Sequence, residues 1–254
     1  AHGSPMAAVS GHPVLQHKLA LMRNVDQPPR EFRRLLREIT YYVGYEATTN
    51  LTVEQIDVQS PLGAGKGGHL SDKIAIVPVM RAGLGMVDGM LELLPNAAVH
   101  HIGMYRMQGS DIPVQYYNRL PRDAVADVSF VLDPLIASGR TLCATVGTLK
   151  KWGCPKIVVV SCVATEQGLK NLFDEFPDTI VHVAATGDTL TPEGKVIPGL
   201  GDAGDRQFNG PDEEEDSAVI VSNGRKRSMS SQSEDEAIAA AEDGDADGDA
   251  KKRR

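Results

Sequence analysis

Cysteine is scarce in this chain, with three among 254 residues. Cys143, Cys154 and Cys162 lie in or beside apolar runs, and their spacing matches neither a zinc site nor a disulfide framework, so they read as buried structural thiols. Long apolar runs are absent too: none approaches the roughly 18 residues of a membrane span, and no signal peptide is visible. The chain therefore reads as soluble and cytoplasmic. A basic excess is also missing. The formal charge is -8, but the stretch from Pro211 onward carries 13 acidic and 7 basic residues, against 21 and 19 in the remaining 210. The body is close to neutral, which argues against broad nucleic-acid binding.

What is present is a change of period. Residues 12–50 read as helical: Leu15, Leu19 and Met22 make one apolar stripe, and Phe32, Leu35, Leu36 and Ile39 make another. Gln27-Pro28-Pro29 separates the two. Residues 57–73, rich in glycine, read as loop or short strand. Five short β-branched runs follow: Ile74–Val79, Val99–Tyr105, Val128–Leu132, Ile157–Val163 and Ile180–Ala185. Helical patterns lie between them at Leu84–Leu94, Thr141–Trp152 and Gln167–Phe173. Such alternation predicts an α/β fold with a central parallel sheet flanked by helices, and ligands at the carboxyl ends of its strands. The polar stretch 106–127, between two strands, reads as a flap over that site.

Boundaries follow from composition. The first five residues, opening Ala1-His2-Gly3-Ser4, read as an expression scar, residues 6–210 as one domain, and residues 211–254 as a disordered acidic tail with basic clusters. Within that tail, Arg225-Lys226-Arg227-Ser228 fits a basophilic kinase site. With Lys251-Lys252-Arg253-Arg254 it also fits a nuclear address, though a solvated extension is the simpler reading. His100-His101, consecutive in an expected strand, would point to opposite faces and make a poor metal pair.

Four loops carry the chemistry. Phe130-Val131-Leu132-Asp133-Pro134-Leu135-Ile136-Ala137-Ser138-Gly139-Arg140-Thr141 runs from a strand through a small-residue loop into a helix. Backbone N–H groups gathered at a helix N-terminus favour an anion, and a sugar phosphate is the natural guest. No Gly-Lys-Ser/Thr follows, so the loop is not a Walker loop. The second loop, Met80-Arg81-Ala82-Gly83-Leu84-Gly85, offers a guanidinium fork suited to a diphosphate. The third is Tyr105-Arg106 at a strand end. The fourth is Val196-Ile197-Pro198-Gly199-Leu200-Gly201-Asp202-Ala203-Gly204-Asp205-Arg206. Its open backbone groups suit the edge of a planar heterocycle, and its acids miss the calcium-loop pattern.

Together these motifs resemble the uracil phosphoribosyltransferase family, within the type I phosphoribosyltransferases. The likeness runs from His12-Pro13-Val14-Leu15 through Tyr45-Glu46-Ala47-Thr48 to Arg206, and it is most specific in Arg81–Met86, Asp133-Pro134 and Pro198–Asp205. The resemblance implies the type I fold, with a flap and a small hood built partly from 186–208. It also implies conversion of uracil and 5-phosphoribosyl 1-pyrophosphate to uridine monophosphate and pyrophosphate.

By the same resemblance, Asp133, Pro134, Leu135, Ile136, Ala137, Ser138, Gly139, Arg140 and Thr141 hold the 5′-phosphate and ribose. Arg81, Arg106 and Asp202 meet the diphosphate, so that Asp133, Arg106 and Asp202 stand nearest the chemistry. Val196, Gly201, Asp202 and Ala203 read uracil. Magnesium (Mg2+) comes with the substrate rather than on a protein cage. A homodimer or homotetramer, and GTP activation as in some relatives, complete the expectation. Two positions depart from the family's usual pattern: Arg140 stands where glycine is common and Lys195 where tyrosine is common. These, with the tail, would suit a non-catalytic binder of the same molecules acting as a regulator.

Overall fold

The structure, a computed structural model, describes residues 7–106 and 112–210. The chain divides into two units, Ala1–Asn209 and Gly210–Arg254. The kinase, nuclear-address and acidic-tail readings lie outside the described residues, as do the opening scar and the tip of the flap.

The elements run β1 (Ala8–Val9), α1 (Pro13–Arg23), α2 (Pro29–Ala47), β2 (Val53–Ser60), β3 (Gly63–Leu70), β4 (Ile74–Met80), α3 (Val87–Leu93), β5 (Ala98–Val99) and β6 (Ile102–Arg106). Then come β7 (Pro113–Asn118), β8 (Val128–Leu132), β9 (Leu135–Ile136), α4 (Arg140–Trp152), β10 (Lys156–Thr165), α5 (Glu166–Glu175), β11 (Ile180–Leu190), β12 (Val196–Ile197) and α6 (Ala203–Phe208). As the proline pair predicts, α2 begins at Pro29, where a missing N–H costs nothing and φ is already helical.

The main sheet has the order β1-β11-β10-β8-β4-β6-β7. Every neighbour from β1 to β6 is parallel, and β7 closes the edge antiparallel to β6. Side chains alternate faces along each strand. In β8, Phe130 and Leu132 pack with Phe32, Leu36, Ile39 and Met90 of the α1–α3 layer, whereas Val131 faces Leu142, Val146 and Leu172 of α4 and α5. Burial on both faces explains why these strands read as unbroken apolar runs. From β8 the chain winds through α4 and α5 towards β11, while from β4 it winds through α3 towards β6. The direction switches between β4 and β8, and in such sheets ligands bind outside the carboxyl ends at that switch.

Three expectations change. Residues 57–73 belong largely to an antiparallel hairpin of β2 and β3, separate from the main sheet, with Val53, Ile56, Val58 and Leu70 exposed. The expected strand Val99–Tyr105 is broken into β5 and β6. His100 and His101 fall in the gap, where the His100 N–H donates to Ile76 O (2.9 Å) and its ring meets the Trp152 ring edge-on. The helical pattern from Leu84 starts as a 3-10 turn over Ala82–Met86 before α3. The three cysteines are buried. Among the described residues no helix is long and apolar enough to cross a membrane.

Candidate active site

Asp133 sits where the β8 run breaks. Its own N–H donates to Val160 O (3.3 Å), and Pro134, which has no N–H to give, accepts from both Cys162 and Val163 (3.2 Å each). The chain then rejoins β10 as β9. Asp133 is half-buried beside the fully buried Cys162, whose thiol pKa is pushed up by burial first and by the Asp133 carboxylate second.

The loop that follows is held from α5. Thr165 Oγ1 donates to Ala137 O (2.6 Å) and accepts the Gly168 N–H (3.0 Å), while the Asn171 amide donates to Ser138 O (2.9 Å). Gly139 has φ +77, and a Cβ there would lie 2.4 Å from Gly168 O; one on Gly168 would lie 2.3 Å from Ala137 O. The two backbones therefore touch, and neither position has room for a side chain. Gly139 O accepts the Cys143 N–H (2.9 Å). All three loop carbonyls are thus engaged, and the loop delivers the chain into the first turn of α4, the end of a helix whose N–H groups point out of its own ladder. That turn carries no acid. A strand–loop–helix junction of this kind has the chemistry to suit an anion such as a phosphate.

On the other side of the switch, Arg81 follows β4 directly. Its Nη2 lies 2.6 Å from Asp205 Oδ1. Asp205 in turn gives its N–H to Asp202 Oδ1 (2.8 Å), which caps α6. A Cβ on Gly204 would stand 3.1 Å from Asp202 Oδ1 and 3.6 Å from Arg81 Nε, so the guanidinium lies along the start of α6. Gln207, fully buried, donates to Ala82 O (2.9 Å) and Ala203 O (2.6 Å), tying α6 to the loop after β4. Thus Arg81, Asp202 and Ala203 are brought together, and Asp205, for which the sequence suggested no role, joins them. Arg106 ends β6, next to β4 in the sheet, and its backbone pairs with Pro113 of β7 in the flap hairpin.

The hood is built from β11 and β12. Thr189 and Leu190 pair antiparallel with Ile197 and Val196, around a turn in which Thr191 N–H donates to Lys195 O (2.7 Å). Lys195 thus stands at the turn leading to Val196. Beyond it, Pro198–Asp202 crosses back towards α6. Three residues to which the sequence reading gave no role anchor this crossing: Arg23, Asp188 and Arg206. Arg206 stood only as the last residue of the fourth loop, and Asp188 lay unremarked within the expected hood segment 186–208. No local pattern marked them.

The family profile described as "Uracil phosphoribosyltransferase" matches residues 9–210. A curated uracil phosphoribosyltransferase of Roseiflexus sp. (strain RS-1) is 43% identical over 200 residues, covering 79% of this chain and 96% of the relative. That of Dictyoglomus thermophilum is 44% identical over 204 residues, covering 80% and 99%. Among solved structures, the AQ2163 protein from Aquifex aeolicus superposes with a TM-score of 0.76 at 31% identity, covering 80% of this chain and 98% of that one. The profile, the curated relatives and the loops described above agree: the chain belongs to the uracil phosphoribosyltransferase family.

Proposed function

We propose that the protein transfers the phosphoribosyl group of 5-phosphoribosyl 1-pyrophosphate to N1 of uracil, releasing pyrophosphate and uridine monophosphate. The observation that carries this reading is the switch point itself: β8 leads through Asp133 to an acid-free helix N-terminus, while its neighbour β4 leads to Arg81 and the Asp205–Asp202 pair at the start of α6. Residues 134–141 hold the 5′-phosphate, with Ser138 and Thr141 offering hydroxyls. Asp133 faces the ribose. Arg81 and Arg106 meet the diphosphate, and Val196 and Gly201 to Ala203 read the base.

In the reaction the C1′–O bond to diphosphate breaks as the C1′–N1 bond forms, and N1 gives up its proton. No side chain is assigned to take it. Positive charge grows on the ribose and negative charge on the leaving group, which the guanidinium of Arg81 stabilises. Because Asp205 holds Arg81 (2.6 Å), the diphosphate must compete with a carboxylate for that fork. Magnesium, a hard ion that prefers oxygen, neutralises diphosphate charge when bound. Asp133 and Asp202, one half-buried and the other exposed, are carboxylates of the right chemistry to hold it through the substrate. The flap from β6 to β7 would keep water from the cationic sugar.

Assembly as a homodimer or homotetramer, activation by GTP and a cytoplasmic location belong to the same proposal. The reading as a non-catalytic regulator has no observation in its favour, since the curated relatives carry the enzyme's name. The test is turnover by purified protein with magnesium, phosphoribosyl pyrophosphate and each of uracil, cytosine, thymine, adenine and hypoxanthine, with and without GTP. Uridine monophosphate from uracil alone is expected; silence with every base would overturn the proposal.

A further inference from the structure

Arg23, the last residue of α1, and Asp188, near the end of β11, form a two-pronged ion pair. Nη1 meets Oδ2 at 2.6 Å and Nη2 meets Oδ1 at 2.9 Å. The side chains are 20% and 6% exposed. What distinguishes the pair is its third partner. Asp188 Oδ2 also accepts the Gly199 N–H (2.8 Å), and Arg23 Nη1 also donates to Gly199 O (2.9 Å). One residue of the hood loop thus has both of its backbone groups taken by the two halves of a largely buried ion pair.

The next carbonyl is held as well. Arg206 donates to Leu200 O (2.9 Å) and, through its other nitrogen, to Asn24 O (2.5 Å) just past α1. Its guanidinium carbon lies 4.4 Å over the Phe32 ring. Gly201, Asp202 and Ala203 follow at once.

A buried ion pair is a weak source of stability compared with an apolar pair of similar volume. A guanidinium–carboxylate fork is, however, a strong source of fixed geometry. Base reading by backbone groups depends on that geometry, because a loop cannot correct a misplaced N–H by choosing another rotamer.

Resting on the function proposed above, we infer that Arg23 and Asp188 are positioning residues for base selection: they set Gly199, and through it the backbone that reads the pyrimidine edge and crowds its C5 position.

The experiment compares Asp188→Asn, Arg23→Lys and the double variant Arg23→Met/Asp188→Leu, which fills the volume without leaving a lone charge. Measured for each are the melting temperature, KM for uracil and for phosphoribosyl pyrophosphate separately, and turnover of thymine relative to uracil. For the double variant, the expected result is a folded protein with a lowered melting temperature, because the buried Gly199 N–H and O lose their partners. Uracil KM should be raised about tenfold or more and the other KM stay within about twofold, since small misplacements act on the misplaced ligand. The thymine-to-uracil ratio should rise. Arg23→Lys keeps the charge but loses the fork, and should show the same split at smaller size.

A folded double variant with unchanged uracil KM would overturn the inference. So would an equal loss for both substrates in every variant that folds. If the unaltered protein turns over no base, the functional reading fails instead. Calorimetric affinity of the same variants for uridine monophosphate then decides the positioning role: weakening by the same factor supports it, and unchanged or absent binding overturns it.

Discussion

The loop proposed for the phosphate and the loop proposed for the base are held in opposite ways. The first, Ala137–Gly139, is fixed by neutral groups from the end of β10 and from α5: the Thr165 hydroxyl, the Asn171 amide and backbone contact with Gly168. The base-side loop, Gly199–Leu200, is fixed by arginines and a carboxylate drawn from α1, β11 and α6. On the proposed function, the difference follows from what each loop must present. A phosphate is drawn by exposed N–H groups and a helix dipole, so nearby carboxylates would work against it and neutral tethers are the compatible support. A neutral heterocycle exerts no such pull. Its loop can be anchored by buried charge because the charges satisfy each other and the loop backbone.

The contrast can be broken most severely at Gly139. Gly139→Ala places a methyl 2.4 Å from Gly168 O at φ +77. Phosphoribosyl pyrophosphate affinity, by calorimetry, should fall about a hundredfold, as expected for a displaced binding element. Affinity unchanged within a factor of two would remove this loop from the site.

Thr165→Val tests the neutral tether. It strips one acceptor and one donor from their partners, leaving Ala137 O and the Gly168 N–H unpaired in the core. A loss of about 1–3 kcal/mol is expected in denaturant unfolding, with KM for phosphoribosyl pyrophosphate raised and KM for uracil unchanged. A rise confined to uracil would reverse the assignment of the two loops.

Arg206→Lys probes the charged side more gently. It keeps the charge but loses the forked contact to Leu200 O and Asn24 O and most of the stacking on Phe32. A stabilisation loss of about 1 kcal/mol is expected, with a modest rise in uracil KM alone. Equal shifts for both substrates would show that the loops are not separately supported.

The smallest effect concerns pH. His182 lies in β11, the strand that carries Asp188, and burial lowers its pKa although the Glu46 carboxylate opposes this. The unfolded chain therefore takes up the proton first as pH falls. Stability is fully present above the ordinary imidazole value of about 6.5 and is lost below it. The tethers of the phosphate loop, a hydroxyl and an amide, contain no ionisable group. Melting temperatures from pH 7.5 to 5 should drop less steeply in His182→Gln than in the unaltered protein. Parallel curves would show that His182 contributes nothing to the slope.

Much of this architecture was legible before any coordinates. Val128–Leu132 is doubly buried, so its apolar run needed no partner to be recognised. The small-residue loop and α4 follow it directly. Other features were not legible. The hairpin of β2 and β3 has mostly exposed residues on both faces, so no core imposes an alternating pattern, and Gly63, Gly65, Gly67 and Gly68 weaken the strand signal further. The break at His100 falls where β4 presents Val77 and Pro78, with β5 and β6 in one register on either side; Pro78 has no N–H to give the ladder, a property of the neighbouring strand and not of the histidines.

At the candidate site, the junction from β8 into α4 was readable because it is local. An anion-binding turn needs only a strand end, small residues and a helix start within about ten positions. The amino-acid sequence by itself determined the alternation of strands and helices, the small-residue loop that leads into α4 and the glycine-rich loop that leads into α6. Only the tertiary structure decided that Arg81 would meet Asp205, 124 residues away, and that Arg23 would meet Asp188, 165 residues away. Periodicity and loop chemistry act between near neighbours along the chain. Which charges meet depends on strand order and on how α1 and α6 close over the sheet, and no local pattern encodes that closure.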